Sequence, residues 1–307
     1  MNGLSVYPTF IDSYKKLIDD FIITHFDKMG YGNKFRHNKF SLADSMLYTL
    51  TTPGKRIRPI FLMLAAESLG FTDKKRILPF ASSLELIHSY SLIHDDLPQM
   101  DNDSLRRGKP TNHIVFGEAA AILSGDALLT EAFVMLTDEN YTEGFEPGKI
   151  IKAIREISYA SGAGGLVEGQ FHDINSFGES LSLEEIEYIN KKKTAGLISA
   201  ACAVGAILSG AEEPVVSEFR KFGNLVGLAF QSMDDVLGIT GNKEVIGKTA
   251  GIDKTNNRLT VAEKIGLEKT GELIKEYNDK AMRHLEKTGA ETGKLAELII
   301  YLTNRIS

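Results

Sequence analysis

Four aspartates lie within nine residues of this sequence, at Asp95, Asp96, Asp101 and Asp103. Carboxylates this close repel one another unless a cation lies among them. Oxygen ligands suit a hard ion such as magnesium, which takes one or two carboxylates together with substrate phosphates. The segment therefore indicates a magnesium–diphosphate site. The alternative is a solvated, charge-balanced loop that follows a buried helix.

Two clusters of basic residues could bind the phosphates of such a substrate. Arg106 and Arg107 follow the acidic segment directly, and a guanidinium binds phosphate oxygens with two parallel hydrogen bonds. Lys55, Arg56 and Arg58 lie in a turn before an apolar helix, where backbone N–H groups add to the positive charge. A solvated loop is again the alternative.

A second pair of acids lies near the C-terminal end of another helical pattern. Gln231, Asp234, Asp235 and Gly238 are spaced at helical intervals, so the pattern places them on one helix face. A run of three lysines, Lys191–Lys193, directly precedes a long apolar stretch. Such a run is usually a solvated face. Separate acidic and basic elements together nevertheless indicate a pocket for two diphosphates.

Helices must position these residues, because helical periodicity dominates the sequence and strand signals are nearly absent. The stripe that leads into the acids begins apolar and ends in a carboxylate, and Pro98 ends or kinks the helix behind it. The members of this stripe are Leu84, Ile87, His88, Ser91, Leu92 and Asp95. Further helices are predicted over residues 7–30, 40–51, 60–69, 149–167 and 219–237. Ser41 and Ser182 are predicted N-caps.

Composition excludes several classes of protein. The chain has 307 residues, 43% hydrophobic and 25% charged, as in an ordinary globular protein, and its net charge of −6 does not indicate a nucleic-acid partner. A single cysteine, Cys202, excludes an internal disulfide and fits a reducing compartment. The N-terminus lacks a signal-peptide pattern, and no run approaches the roughly 18 uninterrupted apolar residues of a membrane span. We expect one domain over residues 1–307 and a cytoplasmic location.

Several ordered motifs resemble those of the trans-isoprenyl diphosphate synthases, the polyprenyl synthetase family. DDLPQMD followed by NDSLRRGKPTNH resembles the first aspartate-rich motif of that family, and FQSMDDVLG resembles the second. GKRIRP resembles its basic turn, KTA its lysine–threonine element, and GNKEVIGKTAGIDK its closing loop. The resemblance implies an all-α, single-domain isoprenoid-synthase bundle with a deep central cavity, a homodimer, and prenyl transfer between isopentenyl diphosphate and an allylic diphosphate.

The resemblance also implies roles for particular residues. The magnesium ligands, for three expected ions, are Asp95, Asp96, Asp101 and Asp234. The residues expected to hold isopentenyl diphosphate are Lys55, Arg58, His88 and Arg107. Those expected at the allylic substrate are Arg106, Lys193, Gln231 and Lys248, with Thr194 near the developing cation. The catalytic set is accordingly Asp95, Asp101, Asp234, Lys193, Thr194 and Gln231.

Tyr90 and Ser91 precede Asp95 by five and four residues, where a phenol would stop the growing chain early. This pair and the long first motif resemble the bacterial farnesyl diphosphate synthases, so the expected product is (2E,6E)-farnesyl diphosphate. Three positions depart from the family pattern: Glu168 replaces a glycine, Gly238 replaces the third aspartate of the second motif, and Arg258 stands where a lysine is common. The alternatives are a geranylgeranyl or geranyl diphosphate synthase, a terpene cyclase, and a non-catalytic partner subunit.

Overall fold

Of the residues that the structure describes, 76% are helical, which confirms the predicted all-α fold. The computed structural model describes residues 7–31, 39–240 and 259–303. The first helices are α1 (Phe10–Met29), α2 (Leu42–Leu50), α3 (Ile57–Ser68), α4 (Lys74–Asp95), α5 (Asn112–Phe116), α6 (Glu118–Thr137), α7 (Glu139–Thr142) and α8 (Pro147–Ser161). The later ones are α9 (Leu166–Asn175), α10 (Leu183–Asn190), α11 (Gly196–Ser209), α12 (Glu213–Thr240), α13 (Val261–Ile265), α14 (Leu267–Glu286) and α15 (Gly293–Thr303). A π-helical turn, Lys191–Ala195, joins α10 to α11.

Two buried helices organise the bundle. Helix α4 packs against α1, α2, α3, α6 and α11, and most of its residues from Ile77 to Ile93 are buried. Helix α11 is buried from Leu197 to Leu208 and packs against α3, α8 and α12. Because α4 is enclosed in this way, it ends with Asp95 at a fixed place in the bundle. The single-domain organisation and the deep central cavity remain predictions.

Helix boundaries differ from the sequence pattern at several places, among them the start of α12 at Glu213, six residues before the predicted start. The helix predicted over residues 149–167 is interrupted, because α8 ends at Ser161 and α9 begins only at Leu166, after a glycine-rich break. Helix α3 begins at Ile57, three residues earlier than predicted. Pro59 lies in the first turn of α3, where a missing N–H costs no hydrogen bond. Arg58 is therefore a residue of the helix itself.

Both predicted N-caps are confirmed. The Ser41 hydroxyl accepts a hydrogen bond from the Asp44 backbone N–H at 3.1 Å, and the Ser182 hydroxyl accepts one from Glu185 at 3.3 Å. Each carboxylate also accepts a hydrogen bond from the backbone N–H of its serine, which completes a capping box. These caps fix where α2 and α10 begin.

A short hairpin interrupts the helices directly after the first acidic motif. Leu105–Arg106 pairs antiparallel with Lys109–Pro110, and Gly108 adopts a positive φ of 75° in the turn between them. The arginine pair predicted to bind phosphate therefore lies on a hairpin, which the helical reading of the sequence did not include.

Helix α6 is long and apolar enough to cross a membrane, judged by length and composition alone. A helix in the core of a globular protein passes the same test, so this is weak evidence for a span. In this fold, α6 packs along α4.

Candidate active site

The first and third aspartates of the first motif are held close together by the backbone. After α4 ends, the Asp101 N–H donates to the Asp95 carbonyl at 2.8 Å, and the Asn102 N–H donates to the Leu97 carbonyl at 3.0 Å. Asn102 adopts a positive φ of 52°, which asparagine tolerates better than most residues. This turn brings Asp101 back over the end of α4, so both carboxylates belong to one site.

The second aspartate is paired with the first arginine. Nε of Arg106 donates to both carboxylate oxygens of Asp96, at 2.8 and 2.9 Å, and Nη2 donates at 2.5 Å. Burial raises the pKa of Asp96 to about 6, although Arg106 acts in the opposite direction. Asp96 was predicted as a metal ligand and Arg106 as a diphosphate ligand. The structure brings both to the site but bonds them to each other.

Asp103 has a structural role in the loop. Its carboxylate accepts from the Leu105 N–H at 3.2 Å, and its carbonyl accepts from the Thr111 hydroxyl at 2.8 Å. Asp103 is buried beneath the hairpin that carries Arg106 and Arg107. It therefore holds the strand that presents the arginine pair.

Arg56 anchors the basic turn. Its guanidinium donates to the Asp19 carboxylate at 2.7 Å, to Glu85 at 2.9 Å and to the Leu50 carbonyl at 2.5 Å. The side chain is only 3% exposed, and the residue adopts a positive φ of 52°. Gly54 provides the space for this arrangement, because a Cβ there would lie 2.5 Å from Nη1 of Arg107 and 2.6 Å from Nη1 of Arg56.

Arg58 and His88 lie in an environment with excess positive charge. Nε of Arg58 is buried and has no hydrogen-bond partner among the described residues. Burial and, after it, the charge of Arg107 lower the pKa of Arg58 to about 10, although Glu85 and Asp234 act in the opposite direction. Burial and the charges of nearby arginines, Arg58 first, hold the pKa of His88 well below its usual range.

The same excess of positive charge acts on Arg107. Burial lowers the pKa of Arg107, and the charges of Arg56 and Arg106 act in the same direction. The charge of Glu85 opposes this shift. An anion placed among these side chains would relieve their mutual repulsion. Four predicted residues, Lys55, Arg58, His88 and Arg107, lie on the elements that meet here, and Lys55 is exposed.

A chain of hydrogen bonds links the second acidic motif to the π-helical turn. The Thr194 hydroxyl donates to Oε1 of Gln231 at 2.9 Å, and Nε2 of Gln231 donates to Oδ1 of Asp235 at 2.9 Å. Oδ2 of Asp235 accepts from the Val261 N–H at 3.2 Å. Asp234 is half-buried beside this chain and acts electrostatically on Arg58, so the second motif faces the basic turn.

Lys193 is held by the glycine-rich segment of α9. Its Nζ donates to Oδ2 of Asp173 at 2.6 Å, and Nζ of Lys192 donates to the Gly164 carbonyl at 2.7 Å. A side chain at Gly169 would overlap the Lys193 backbone, so this glycine permits the close approach. Glu168, which replaces a family glycine, instead forms a surface pair with His172 at 3.1 Å.

Tyr90 and Ser91 are buried on α4 beneath Asp95. The Tyr90 hydroxyl donates to the Ser161 carbonyl at 3.5 Å, where α8 ends, and the Tyr90 ring lies edge-on to His94. Burial and the charge of Asp95 raise the pKa of Tyr90 to about 12. The Ser91 hydroxyl donates to the His88 carbonyl at 2.9 Å.

The available donors fit an ion that also binds substrate. In the described ranges, no three His, Cys, Asp or Glu side chains form one ligand set. Asp95, Asp101 and Asp234 supply hard oxygen donors from two elements, and magnesium takes its remaining ligands from phosphates and water. Gly238 leaves open space where the family has a third aspartate. Lys248 lies outside the described residues.

Sequence reasoning missed Glu85, Asp19 and Gly125. Glu85 is the one acid in the apolar run of α4, and that signal could have identified it. Asp19 lies on α1, far along the chain from its partner Arg56 in the basic turn, so no local pattern marks it. Gly125 makes room for His94, whose Nε2 contacts the Ile122 carbonyl at 3.0 Å.

Comparison with known proteins identifies the family. A model of the polyprenyl synthetase family matches residues 40–299. The chain belongs to this family. The farnesyl diphosphate synthase of Geobacillus stearothermophilus is 43% identical over 83% of this chain and 85% of its own length. Large subunit 1 of the Arabidopsis thaliana heterodimeric geranylgeranyl pyrophosphate synthase is 42% identical over 84% of this chain and 70% of its own length.

A solved structure agrees with this result. The Helicobacter pylori geranyltransferase, complexed with magnesium and isoprenyl diphosphate, has a TM-score of 0.78 and 28% identity, and the match covers 99% of this chain and 97% of that one. This polyprenyl synthetase is therefore a trans-prenyltransferase with an isoprenoid-synthase fold.

Proposed function

We propose that this polyprenyl synthetase condenses isopentenyl diphosphate with dimethylallyl or geranyl diphosphate to give (2E,6E)-farnesyl diphosphate. The observation that carries the proposal is the presence of two charged regions that face each other. The excess positive charge around Arg58 and His88 suits a diphosphate without metal, whereas Asp95, Asp101 and Asp234 suit one bound through magnesium. A cyclase would not need the first region.

The acidic region holds the allylic substrate in this proposal. Asp95, Asp101 and Asp234 would hold the three expected magnesium ions, and Asp96 lies beside them as the partner of Arg106. When bound, the ions neutralise the charge that develops on the leaving diphosphate. Arg106 and Lys193 add positive charge at that diphosphate, and the sequence resemblance assigns the same role to Lys248, which lies outside the described residues.

The bond changes follow from this arrangement. The C1–O bond of the allylic substrate breaks, and its electron pair leaves with the diphosphate. In this proposal the allylic carbon lies beside the hydrogen-bonded oxygens of Thr194 and Gln231, which would favour positive charge there. Lys55, Arg58, His88 and Arg107 hold isopentenyl diphosphate so that its terminal double-bond carbon bonds to C1. The released diphosphate then takes the proton lost from the new chain, so no protein base is required.

Tyr90 supports the assignment of a C15 product. Its ring is buried at the place where α4 meets the end of α8, and its hydroxyl is directed to the Ser161 carbonyl. A phenol fixed beneath the acids would block growth past the farnesyl chain. Relatives with similar identity are named as farnesyl and geranylgeranyl synthases, so the C15 assignment rests on Tyr90 and not on identity.

A homodimer and a cytoplasmic location are part of the proposal. Large apolar side chains are exposed on four helices that touch in sequence, α5 with α6, α6 with α8, and α8 with α9. A second copy of the chain would cover these side chains. These side chains are Ile114, Val115, Ile122, Leu123, Ile151, Tyr159, Val167 and Phe171. Light scattering should give twice the chain mass, and Leu123→Glu should give a monomer.

The single buried cysteine, Cys202, fits a reducing compartment.

Mass spectrometry of the products tests the proposed function. Purified protein is supplied with isopentenyl diphosphate, dimethylallyl diphosphate and Mg²⁺. A dominant C15 diphosphate is expected. A dominant C10 or C20 product would contradict the assignment of Tyr90 and leave prenyl transfer intact. Absence of any elongated product would contradict the proposed reaction.

A further inference from the structure

Glu85 is a buried acid that the proposed reaction does not use directly. It lies on α4, three residues before His88, and it is 1% exposed. Its Oε1 accepts a hydrogen bond from Nη1 of Arg56 at 2.9 Å. A buried ion pair is costly to desolvate and is no guarantee of stability, so its presence here requires an explanation.

The partner of Glu85 sets the conformation of the basic turn. Arg56 adopts a positive φ of 52°, an unfavourable conformation for a residue with a long side chain. Contacts on three sides hold it there, with Asp19, Glu85 and the Leu50 carbonyl. Lys55 precedes Arg56 directly, and Arg58 follows two residues later. The anchored turn therefore determines where both side chains lie.

The charge of Glu85 also acts beyond Arg56. It raises the pKa of Arg58 and that of Arg107, against the effects of burial and of neighbouring arginines. The guanidiniums of Arg56 and Arg107 converge on Gly54, so these like charges lie close together. A carboxylate beside them reduces the repulsion that would otherwise drive them apart.

We propose that Glu85 is a positioning residue for the isopentenyl diphosphate subsite. It acts through Arg56, which fixes the turn that carries Lys55 and Arg58, and through its charge, which keeps Arg107 near that turn. It touches no reacting atom. The inference rests on the proposed function, because that function assigns isopentenyl diphosphate to this region.

The first test replaces Glu85 by glutamine, which keeps the shape and removes the charge. The Glu85→Gln variant should raise the KM for isopentenyl diphosphate about tenfold or more, because a charge-assisted hydrogen bond is roughly twice as strong as a neutral one. The KM for geranyl diphosphate should change less than about twofold, a split that general loss of structure would not produce. An unchanged or lowered KM for isopentenyl diphosphate would overturn the proposal.

A matched control is available on α6. Glu131 is also buried, and its Oε1 lies 2.8 Å from Nε2 of His25, away from the arginine cluster. Glu131→Gln should leave the ratio of the two KM values as in the unmodified protein. A similar split in this variant would show that any buried acid produces it, and would overturn the specific role of Glu85.

A second variant keeps the proposal testable if Glu85→Gln does not fold. Asp19 is the other acidic partner of Arg56, and its side chain is 40% exposed, so Asp19→Asn should fold. It should raise the KM for isopentenyl diphosphate in the same selective way, by a smaller factor. No selective change would overturn the proposal. If the unmodified protein itself makes no product, the proposed function fails instead, so the two failures are distinguishable.

Discussion

The Thr194 hydroxyl donates a hydrogen bond to the side-chain oxygen of Gln231 across 2.9 Å. Asp235 determines the direction of this bond. Its carboxylate can only accept, so the amide of Gln231 directs Nε2 to Asp235 and its oxygen to Thr194. The Thr194 oxygen is thereby left with lone pairs to direct elsewhere. Oxygen atoms oriented before the reaction stabilise a developing cation without reorganisation.

Removal of the Thr194 hydroxyl should therefore slow the chemical step. Thr194→Val is expected to lower kcat about 10- to 100-fold, with little change in the KM for isopentenyl diphosphate, since the interaction strengthens only in the transition state. Thr130→Val is a control, because the Thr130 hydroxyl donates to the Asp126 carbonyl on the exposed side of α6. Steady-state kinetics checks both. A raised KM with unchanged kcat in Thr194→Val would contradict the assigned role.

Truncation of Tyr90 should lengthen the product. Tyr90→Ala removes a ring that is buried beneath Asp95, so the chain should grow to C20 or beyond. The change should also cost about 3 kcal/mol of unfolding free energy, as for other buried aromatics. Tyr7→Ala, at a position that is 40% exposed and precedes α1, should keep the original spectrum. If mass spectrometry finds only C15 product from Tyr90→Ala, the proposed role of Tyr90 in stopping chain growth is contradicted.

Restoration of the third aspartate of the second motif should lower the magnesium requirement. A side chain at Gly238 would meet no atom within 4 Å, so Gly238→Asp should fold and add a carboxylate near Asp234. The Mg²⁺ concentration for half-maximal activity is expected to fall. Gly271→Asp on α14, where there is also open space, should not change it. An identical Mg²⁺ titration curve for Gly238→Asp and the unmodified protein would refute this prediction.

His88 should make the free protein less stable in mild acid. Its folded pKa lies well below the unfolded value near 6.5, so the unfolded chain binds a proton first as pH falls. The free energy of unfolding should then decrease below about pH 6.5, by up to about 1.4 kcal/mol per pH unit. His88→Gln should remove this component, and His172→Gln, at an exposed position, should not.

Urea unfolding at pH 7.5 and 5.5 measures the effect. The stability lost between these two pH values should be smaller in His88→Gln than in the unmodified protein. Equal losses would mean that His88 already binds a proton in the folded state.

The sequence predicted the chemistry better than the contacts. The acids, the basic turn and the lysine–threonine element were identified because each is a local run of residues. The bonds of Arg56 to Asp19 and Glu85 span 37 and 29 residues, and no local pattern fixes such a separation. The pairing of Asp96 with Arg106 was missed because it depends on a hairpin whose strands have only two residues each. Strands this short show almost no alternation of apolar and polar residues in the sequence.

The prediction of one continuous helix over residues 149–167 was wrong for a similar reason. The apolar period continues through residues 149–167, but the glycines after Ser161 permit a break that lets α9 approach the π-helical turn. That approach brings Asp173 to Lys193. Tertiary contact, which local periodicity does not contain, therefore decides this boundary.

The most direct test of the central claim is the formation of prenyl diphosphate from isopentenyl and geranyl diphosphates, measured with and without Mg²⁺. Product is expected only when both substrates and Mg²⁺ are present; it should be lost on chelation and return when Mg²⁺ is added back. No product from any allylic substrate at high Mg²⁺, or equal product after chelation, would contradict the two-diphosphate site built on Asp95, Asp234 and Arg58.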